Sequence, residues 1–471
     1  MQLGALTGGD EKAVVTGFAI DHRKVAPGTV FGAFQGTKVN GEDFIPQAVA
    51  AGAVAIVARR GARVDGAVHI VSDEPRAAFA QLAAKFFAPF PDTVIAVTGT
   101  NGKTSTVEIT RQLWRIAGNN AASIGTLGVT TADDQVKTGL TTPDVVTFLS
   151  NVAGLRREGV SHLAFEASSH GLSQYRTEGL PVTAAAFTNL SRDHLDYHGD
   201  MAAYFTAKLR LFAEVVQDGG SVVIWADDPE SPKVFDLALE RGLRVLGVGE
   251  RGDALRLVSR TPTQFGQTLE VEAEGRMFTV TLPLIGAYQA ANALVSAALV
   301  IATGGDVART LGDLARIQPV RGRLERAAIS RAGAPVYVDY AHTPDAIEAA
   351  VAALRPHARG RIILVFGAGG DRDKGKRPEM GKAAVASADY VIVTDDNPRT
   401  EDASAIRADI MEGAPGATEI AGRRDAIAAA IAEAGADDIV LIAGKGHEQG
   451  QIVGDLVLPF DDVQVARECA A

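Results

Sequence analysis

The run VIAVTGTNGKTS at residues 94–105 constrains this chain more than any other stretch. A β-branched and small apolar segment breaks into Gly99-Thr100-Asn101-Gly102-Lys103-Thr104, and a helical pattern, TVEITRQLWRIA, follows. That succession predicts a phosphate-binding loop joining a strand to a helix. Glycines let backbone N–H groups curl around phosphate oxygens, and the helix N-terminus adds its partial positive charge. Lys103 is placed to neutralise the β- and γ-phosphates, and the Thr104 hydroxyl to sit on Mg²⁺. The loop is two residues shorter than the usual G-x-x-x-x-G-K-S/T form, which points to a particular branch of nucleotide-binding proteins. The bland alternative is a glycine-rich turn that binds nothing, but strand, glycines, Lys-Thr and helix all agree. ATP or GTP is the expected ligand, held by Thr98, Gly99, Thr100, Asn101, Gly102, Lys103, Thr104 and Ser105.

A chain of 471 residues corresponds to about three domains at about 150 residues each. Its 46% hydrophobic and 22% charged residues are ordinary for a globular protein. A net charge of −11 argues against a general nucleic-acid binder, so an anionic substrate must be held by local positive clusters. The single cysteine, Cys469, cannot form an internal disulfide, which fits a reducing compartment. No apolar run reaches the ~18 residues of a spanning helix, and the N-terminus lacks a basic-then-apolar signal pattern. A cytoplasmic protein without membrane insertion is expected.

Along the chain, short β-like runs alternate with helical patterns. To about Pro91 they are TVFGAF, AVAIVA and AVHIVS, with FIPQAVAAG and EPRAAFAQLAAKFF between and after them. From the phosphate loop to about Arg316, LAFEAS, AAAFTN and SVVIWADD alternate with helical segments. LRLVSR, TLEVEA and MFTVTL at 255–283 read as an antiparallel insertion at the edge of that domain. After Gln318-Pro319 the alternation restarts with PVYVDYAH, RIILVFGAGG, DYVIVTDDNP and DDIVLIAGKGHE. Near-continuous apolar strands imply a parallel sheet covered on both faces by helices. The expected class is α/β in three domains: residues 1–90, a central phosphate-loop parallel-sheet domain at 91–317, and a Rossmann-like domain at 318–471. Ligand groups should collect at the C-terminal strand ends, where the polar motifs lie.

Glu166 closes the strand HLAFEAS, where an acid is either a Mg²⁺ ligand or a cap for the next helix. The segment TNLSRDHLDYHG at 188–199 is dense in polar groups. His194 could ligate a cation with Asp193 orienting it, or the two could simply share a structural hydrogen bond. Lys208, in MAAYFTAKLRLFAEVV, reads from its spacing as a solvated surface lysine.

VTGTNGKTS, EASSHGL, FTNLSRDHLDYHGD, DYAHTPDA, FGAGGDRDKGKRP, TDDNPRTED and AGKGHE occur in that order, and together they resemble the Mur ligase family over almost the whole chain. The resemblance implies an ATP- and Mg²⁺-dependent amide ligase of peptidoglycan synthesis. A substrate carboxylate takes the γ-phosphoryl group, and the incoming amine displaces phosphate from the acyl phosphate. It implies catalytic roles for Lys103, Glu166, His194 and Lys208, with Mg²⁺ at Thr104, Glu166, His194 and Lys208, the last as N-carboxylysine. Asn292 is implied near the adenine, and Arg323 and Asp339 at the nucleotide when domains close. The nucleotide-sugar peptide UDP-MurNAc-L-Ala-D-Glu falls to Thr141, Thr142, Ser168, Gln174 and Arg176, with Ile20, His22, Thr37, Lys38 and Val39 of the first domain around the uridine diphosphate. His22 stands where the family usually has Ser, and Leu140 where it often has Asn. A monomer is expected.

Within the resemblance, Asp396-Asn397-Pro398-Arg399 implies meso-diaminopimelate as the amine. An Arg pairs with the distal carboxylate through two N–H donors, and an acid or amide takes the ammonium group. The implied pocket is Arg372, Asp396, Asn397, Pro398, Arg399, Gly444 and Glu448. Lysine lacks the distal carboxylate and would leave Arg399 unpaired. Rivals are a lysine-adding or folylpolyglutamate-synthase-like ligase, a phosphate-loop kinase or GTPase, and a nucleotide-gated binding module. No Asn-Lys-x-Asp base-reading motif supports a GTPase.

Overall fold

The computed structural model describes residues 1–36, 39–136, 139–263 and 266–471. Among the described residues, three sheets of four or more strands follow one another along the chain. The first is a four-stranded parallel sheet of Gly17–Ala19, Thr29–Gly32, Ala55–Ala58 and Val68–Val71, in that order. Phe31, Ile56 and Ala58 pack under Ile45 on one side of it. On the other side the helix Pro75–Phe87 inserts Phe79, whose ring meets Phe18 and Phe34 edge-on at 5.3 and 5.4 Å. Phe79 belongs to a core that continues through Phe148, Phe165 and Phe187 of the next sheet, so the first two sheets share one apolar body.

The central sheet has eleven strands. Its parallel block runs Ala121–Gly125, His162–Glu166, Thr93–Thr98, Val182–Phe187, Val216–Trp225 and Arg244–Gly249. Thr93–Thr98, the strand that feeds the phosphate loop, is thus interior and buried on both faces, as its unbroken apolar run anticipates. The helices Lys103–Ile116 and Ala287–Ala302 cover one face, with Trp114, Leu294 and Leu299 in their core. The predicted β insertion is present as Leu255–Thr263, Gly266–Ala273 and Arg276–Leu282. It continues the central sheet, its first strand parallel to Arg244–Gly249 and the other two antiparallel. The opposite edge carries a small antiparallel hairpin, Gly128–Thr130 with Gln135–Val136, that has no clear period in the sequence.

The third sheet is ordered Glu325–Ile329, Pro335–Asp339, Ile439–Ala443, Ile362–Phe366, Tyr390–Val393 and Thr418–Glu419. All its pairs are parallel except the first. The C-terminal ends of its strands deliver Asp339, Gly369, Asp396 and Gly444 to one side. No helix among the described residues is long and apolar enough to cross a membrane.

Because Phe79 is fully buried where the first two sheets meet, Phe79→Ala is expected to cost about 3–5 kcal/mol of unfolding free energy in urea titration. A loss below about 1 kcal/mol would contradict the shared core.

Candidate active site

The phosphate loop is held open by its neighbours. Gly99 has φ +145° and faces Thr188, and Gly102 has φ +87° and faces Asn292. A Cβ at either would overlap those side chains, in backbone conformations L residues rarely adopt. The Thr188 hydroxyl donates to the Asn101 carbonyl at 2.6 Å. Asn189 accepts from the Asn101 N–H at 2.8 Å through its side chain and from the Thr100 N–H at 2.9 Å through its carbonyl. The polar density of TNLSRDH therefore braces the loop.

Two lysines converge on the loop carbonyls. Lys103 Nζ donates to the Gly99 carbonyl at 3.0 Å and the Thr100 carbonyl at 2.7 Å, and Lys208 Nζ donates to the same Gly99 carbonyl at 2.6 Å. Lys208 is 1% exposed, so the reading of it as a solvated surface lysine is corrected. Tyr204, Phe205, Ala207 and Lys208 form the inward stripe of the helix Met201–Arg210, and the ammonium sits 4.3 Å from the Tyr204 ring centre. Burial pushes both lysines below their ordinary range, and for Lys208 the neighbouring Lys103 charge pushes further.

Glu166, 2% exposed, accepts from the Thr104 hydroxyl at 3.0 Å, the Thr126 N–H at 2.7 Å and the Thr126 hydroxyl at 3.1 Å. These partners are all neutral, which leaves a buried carboxylate suited to a cation. Asp193 is buried, which alone would raise its pKa. His342 at 3.7 Å and Lys376 at 3.5 Å, with His194 at 3.4 Å, hold it well below the usual carboxylate range instead. His194 sits at φ +54°, and burial pushes its imidazole down to about 3, so it is neutral and able to ligate. Among the described residues, no three His, Cys, Asp or Glu side chains converge tightly enough to hold a metal unaided. Mg²⁺ here would draw further ligands from phosphate and water, as it commonly does.

A cavity of about 1320 Å³ joins this centre to the third sheet. Arg323 donates to the Thr104 hydroxyl at 3.0 Å across the sheets and lies 4.5 Å from the Tyr340 ring centre. Asp339 accepts from the Leu324 N–H at 2.7 Å, next to that arginine, and burial raises its pKa. Asn292 lines the cavity beside Gly102. Arg192 adds ion pairs to Asp373 at 3.2 Å and Glu379 at 3.0 Å.

Thr141 and Ser168 also line the cavity. Thr142 donates to the Glu166 carbonyl at 2.8 Å and pairs with Ser168 at 2.9 Å. Arg176 donates to the Thr142 carbonyl at 2.6 Å and the Gln174 side chain at 2.8 Å, and Gln174 reaches the Tyr197 hydroxyl at 2.9 Å. Ile20, His22 and Val39 lie outside the cavity. His22 stacks on Phe44 at 4.3 Å, while Ile20 and Val39 are exposed. Thr37 and Lys38 lie outside the described residues.

At the far end of the cavity, Arg399 donates to the Gly370 carbonyl at 2.7 Å. Burial, with the charge of nearby Arg372 added, lowers its pKa. Exposed Arg372 donates to the Asp371 carbonyl at 2.9 Å. Gly444, at φ +110°, lets the chain pass close to the Asp396 carboxylate. Asn397 donates to Glu448 at 2.7 Å and accepts from Lys445 at 3.1 Å. Pro398 accepts the Glu401 N–H at 3.0 Å. Lys376 and Thr126 join the site beyond the residues read from sequence, and Asp193, read there as a partner of His194, also meets Lys376 and His342. Lys376 and Lys445 stand within quoted motifs, but nothing local marks them as buried.

Residues 97–300 match the Mur ligase middle domain, 322–446 the Mur ligase glutamate ligase domain, and 14–87 the Mur ligase family catalytic domain. The chain belongs to the Mur ligase family. A relative from Zymomonas mobilis named UDP-N-acetylmuramoyl-L-alanyl-D-glutamate–2,6-diaminopimelate ligase is 60% identical, over 96% of this chain and 94% of its own length. One of the same name from Caulobacter vibrioides is 51% identical, over 96% and 94%. A solved structure of a ligase of that name aligns with 100% of this chain and 98% of its own, at TM-score 0.73 and 31% identity. A Mycobacterium tuberculosis folylpolyglutamate synthase, complexed with ADP and AMPPCP, shares the Mur ligase fold over 79% of this chain and 92% of its own, at TM-score 0.65 and 21% identity.

Glu401 fixes the loop that carries Arg372. It accepts from Arg377 at 2.9 Å, Lys374 at 3.2 Å and the Asp371 N–H at 2.6 Å, and the Arg377 hydrogen bond leads in holding it down to about 2. A depressed carboxylate stabilises the fold fully above the ordinary value near 4.5 and loses that contribution as pH falls toward 2. Glu401→Gln should therefore flatten the acid limb of thermal stability over that window. An unchanged limb would contradict the clamp.

Proposed function

We propose that this Mur ligase uses ATP to join meso-2,6-diaminopimelate to the glutamyl carboxylate of UDP-MurNAc-L-Ala-D-Glu. The observation that carries the reading is one cavity with a lysine-lined phosphate loop at one end and an Arg399–Asp396–Glu448 cluster at the other. The 60% identical relative of that name, matched almost end to end, supports the choice of amine.

ATP would lie on the loop of Thr98 to Ser105, with Lys103 turning from the Gly99 and Thr100 carbonyls to the β- and γ-phosphates. Asn292 would meet the base, and Arg323, already on Thr104, the phosphates. The substrate carboxylate attacks the γ-phosphorus, the bond to the β-bridging oxygen breaks, and ADP leaves. The amine then attacks the acyl carbon, gives up a proton, and inorganic phosphate departs. Such chemistry needs positioning and charge cancellation more than covalent help. Mg²⁺ would be held by Thr104, Glu166, His194 and Lys208 carrying a carboxylate on Nζ, and would supply charge neutralisation at the phosphates. A buried lysine with a depressed pKa is the amine most open to that modification.

Thr141, Thr142, Ser168, Gln174 and Arg176 would position the acceptor peptide, with Ile20, His22, Thr37, Lys38 and Val39 holding the uridine diphosphate. Arg399 and Arg372 would take the distal carboxylate of diaminopimelate, and Asp396 and Glu448, backed by Asn397, Pro398 and Gly444, its ammonium. The three domains would span 1–90, 91–317 and 318–471, in a cytoplasmic monomer.

Phosphate release with UDP-MurNAc-L-Ala-D-Glu tests this reading. Release should be fast with meso-diaminopimelate and at least about a hundredfold lower in kcat/KM with L-lysine. Equal rates would overturn the choice of amine. Arg399→Ala should raise KM for diaminopimelate by about tenfold or more. Lys208→Ala should lose most activity and recover part of it with a short carboxylic acid. No recovery would count against the modified lysine.

A further inference from the structure

The hairpin of Gly450–Val453 and Leu456–Pro459 forms a two-stranded sheet of its own. Such a unit is marginal in water unless something else holds it. Its outer surface is apolar, with Val453, Leu456, Val457 and Leu458 exposed, and both Ile452 and Val457 line the cavity. What ties it down is the 396–399 motif. Gln451 donates to the Asp396 carbonyl at 2.7 Å, and the Ile452 N–H to the Asn397 side-chain oxygen at 2.9 Å. The Arg399 N–H donates to the Ile452 carbonyl at 3.0 Å, and the Gly454 N–H to the Arg399 carbonyl at 2.7 Å.

Arg399 needs that grip. Its φ is +53°, a conformation that a long side chain rarely adopts and that persists only where surroundings impose it. Beneath the hairpin, Lys445 is fully buried and donates to the Gly450 carbonyl at 2.7 Å, and to Asn397 and Glu448 at 3.1 Å each. An ammonium group has three hydrogens, so these bonds use all of them and leave none for a ligand. Lys445 is a brace, and its charge sets Glu448 and Asn397 in place.

We propose that the Gly450–Pro459 hairpin, anchored by Lys445, is the positioning element for amino-acid selectivity: its backbone holds Arg399 on the cavity wall. This rests on the reading of Arg399 as the carboxylate-binding group. Without the hairpin, Arg399 relaxes to an ordinary backbone angle and its guanidinium leaves the Gly370 carbonyl, while the phosphate loop and acceptor groups stay as they are.

The test replaces residues 452–457 with Gly-Gly, keeping the Gly450–Pro459 and Gln451–Leu458 pairs, in the full-length enzyme. Lys445→Met is the second variant. Each is made in the native and the Arg399→Ala backgrounds, with KM measured for all three substrates. In the native background, KM for diaminopimelate should rise about tenfold or more, and preference over L-lysine should fall with it. KM for ATP and for the nucleotide peptide should stay within about twofold. In the Arg399→Ala background, the shortened hairpin should add no more than about twofold, while Lys445→Met, which also holds Glu448, should keep a smaller rise of its own. An unchanged diaminopimelate KM, a parallel rise in all three values, or a full further rise in the Arg399→Ala background would each overturn the proposal. If the shortened hairpin fails to fold, Lys445→Met is judged by the same criteria. Arg399→Ala leaving KM for diaminopimelate unchanged would instead sink the reading on which the proposal rests.

Discussion

One carbonyl oxygen, that of Gly99, takes hydrogen bonds from two buried lysines, and the rest of the site is arranged around that pair of amines. Buried cations are costly without counter-charge. Glu166 lies near Lys103, and Asp193 opposes the depression of both lysines, yet neither carboxylate forms a direct ion pair with them among the described residues. Lys103 is therefore open to an incoming anion, which a triphosphate would supply, and Lys208, with the carboxylate proposed on its Nζ, would face a cation instead. The central parallel sheet makes the arrangement possible because its interior strand ends at the loop with helices and sheet neighbours on every side. Thr188 and Asn189, just past the end of the adjacent strand, brace the loop.

The third sheet completes the site across the cavity. Arg323 reaches Thr104, and Lys376 and His342 reach Asp193, so groups from both sides already meet around the reacting centre. This closeness matters for an activated acyl group, which water would otherwise hydrolyse. The proposed amine pocket lies beyond it with its own balance of charge: Arg399 and Arg372 against Asp396 and Glu448, with Lys445 buried behind. A ligand end carrying both a carboxylate and an ammonium matches that mixture better than an ammonium alone.

Much of this was legible in the residues. The apolar run to Thr98, the paired glycines and Lys103-Thr104 specify strand, turn and helix through local chemistry, and the structure has each where expected. The antiparallel insertion read at 255–283 is present as strands over that segment. Lys208 was not legible from spacing, because a lysine about two turns into an amphipathic helix looks solvated until the partner surface is known; only the family resemblance marked it. The hairpins at Gly128–Val136 and Gly450–Pro459 escaped for a related reason. Their strands are short and held by long-range main-chain bonds, as Arg399 holds Ile452 and Gly454, and main-chain bonds leave no periodic trace. The long-range bonds that occupy the Asn397 side-chain oxygen, from Lys445 and the Ile452 N–H, are equally without local trace.

The central claim is that the acceptor's own carboxylate is phosphorylated at the lysine-lined loop before the amine arrives. Turnover with the glutamyl carboxylate of UDP-MurNAc-L-Ala-D-Glu labelled with oxygen-18, followed by mass analysis of the released phosphate, tests it directly. One labelled oxygen per phosphate is the predicted result, because the attacking carboxylate oxygen leaves with phosphorus. Unlabelled phosphate, with amide still formed, would contradict the account.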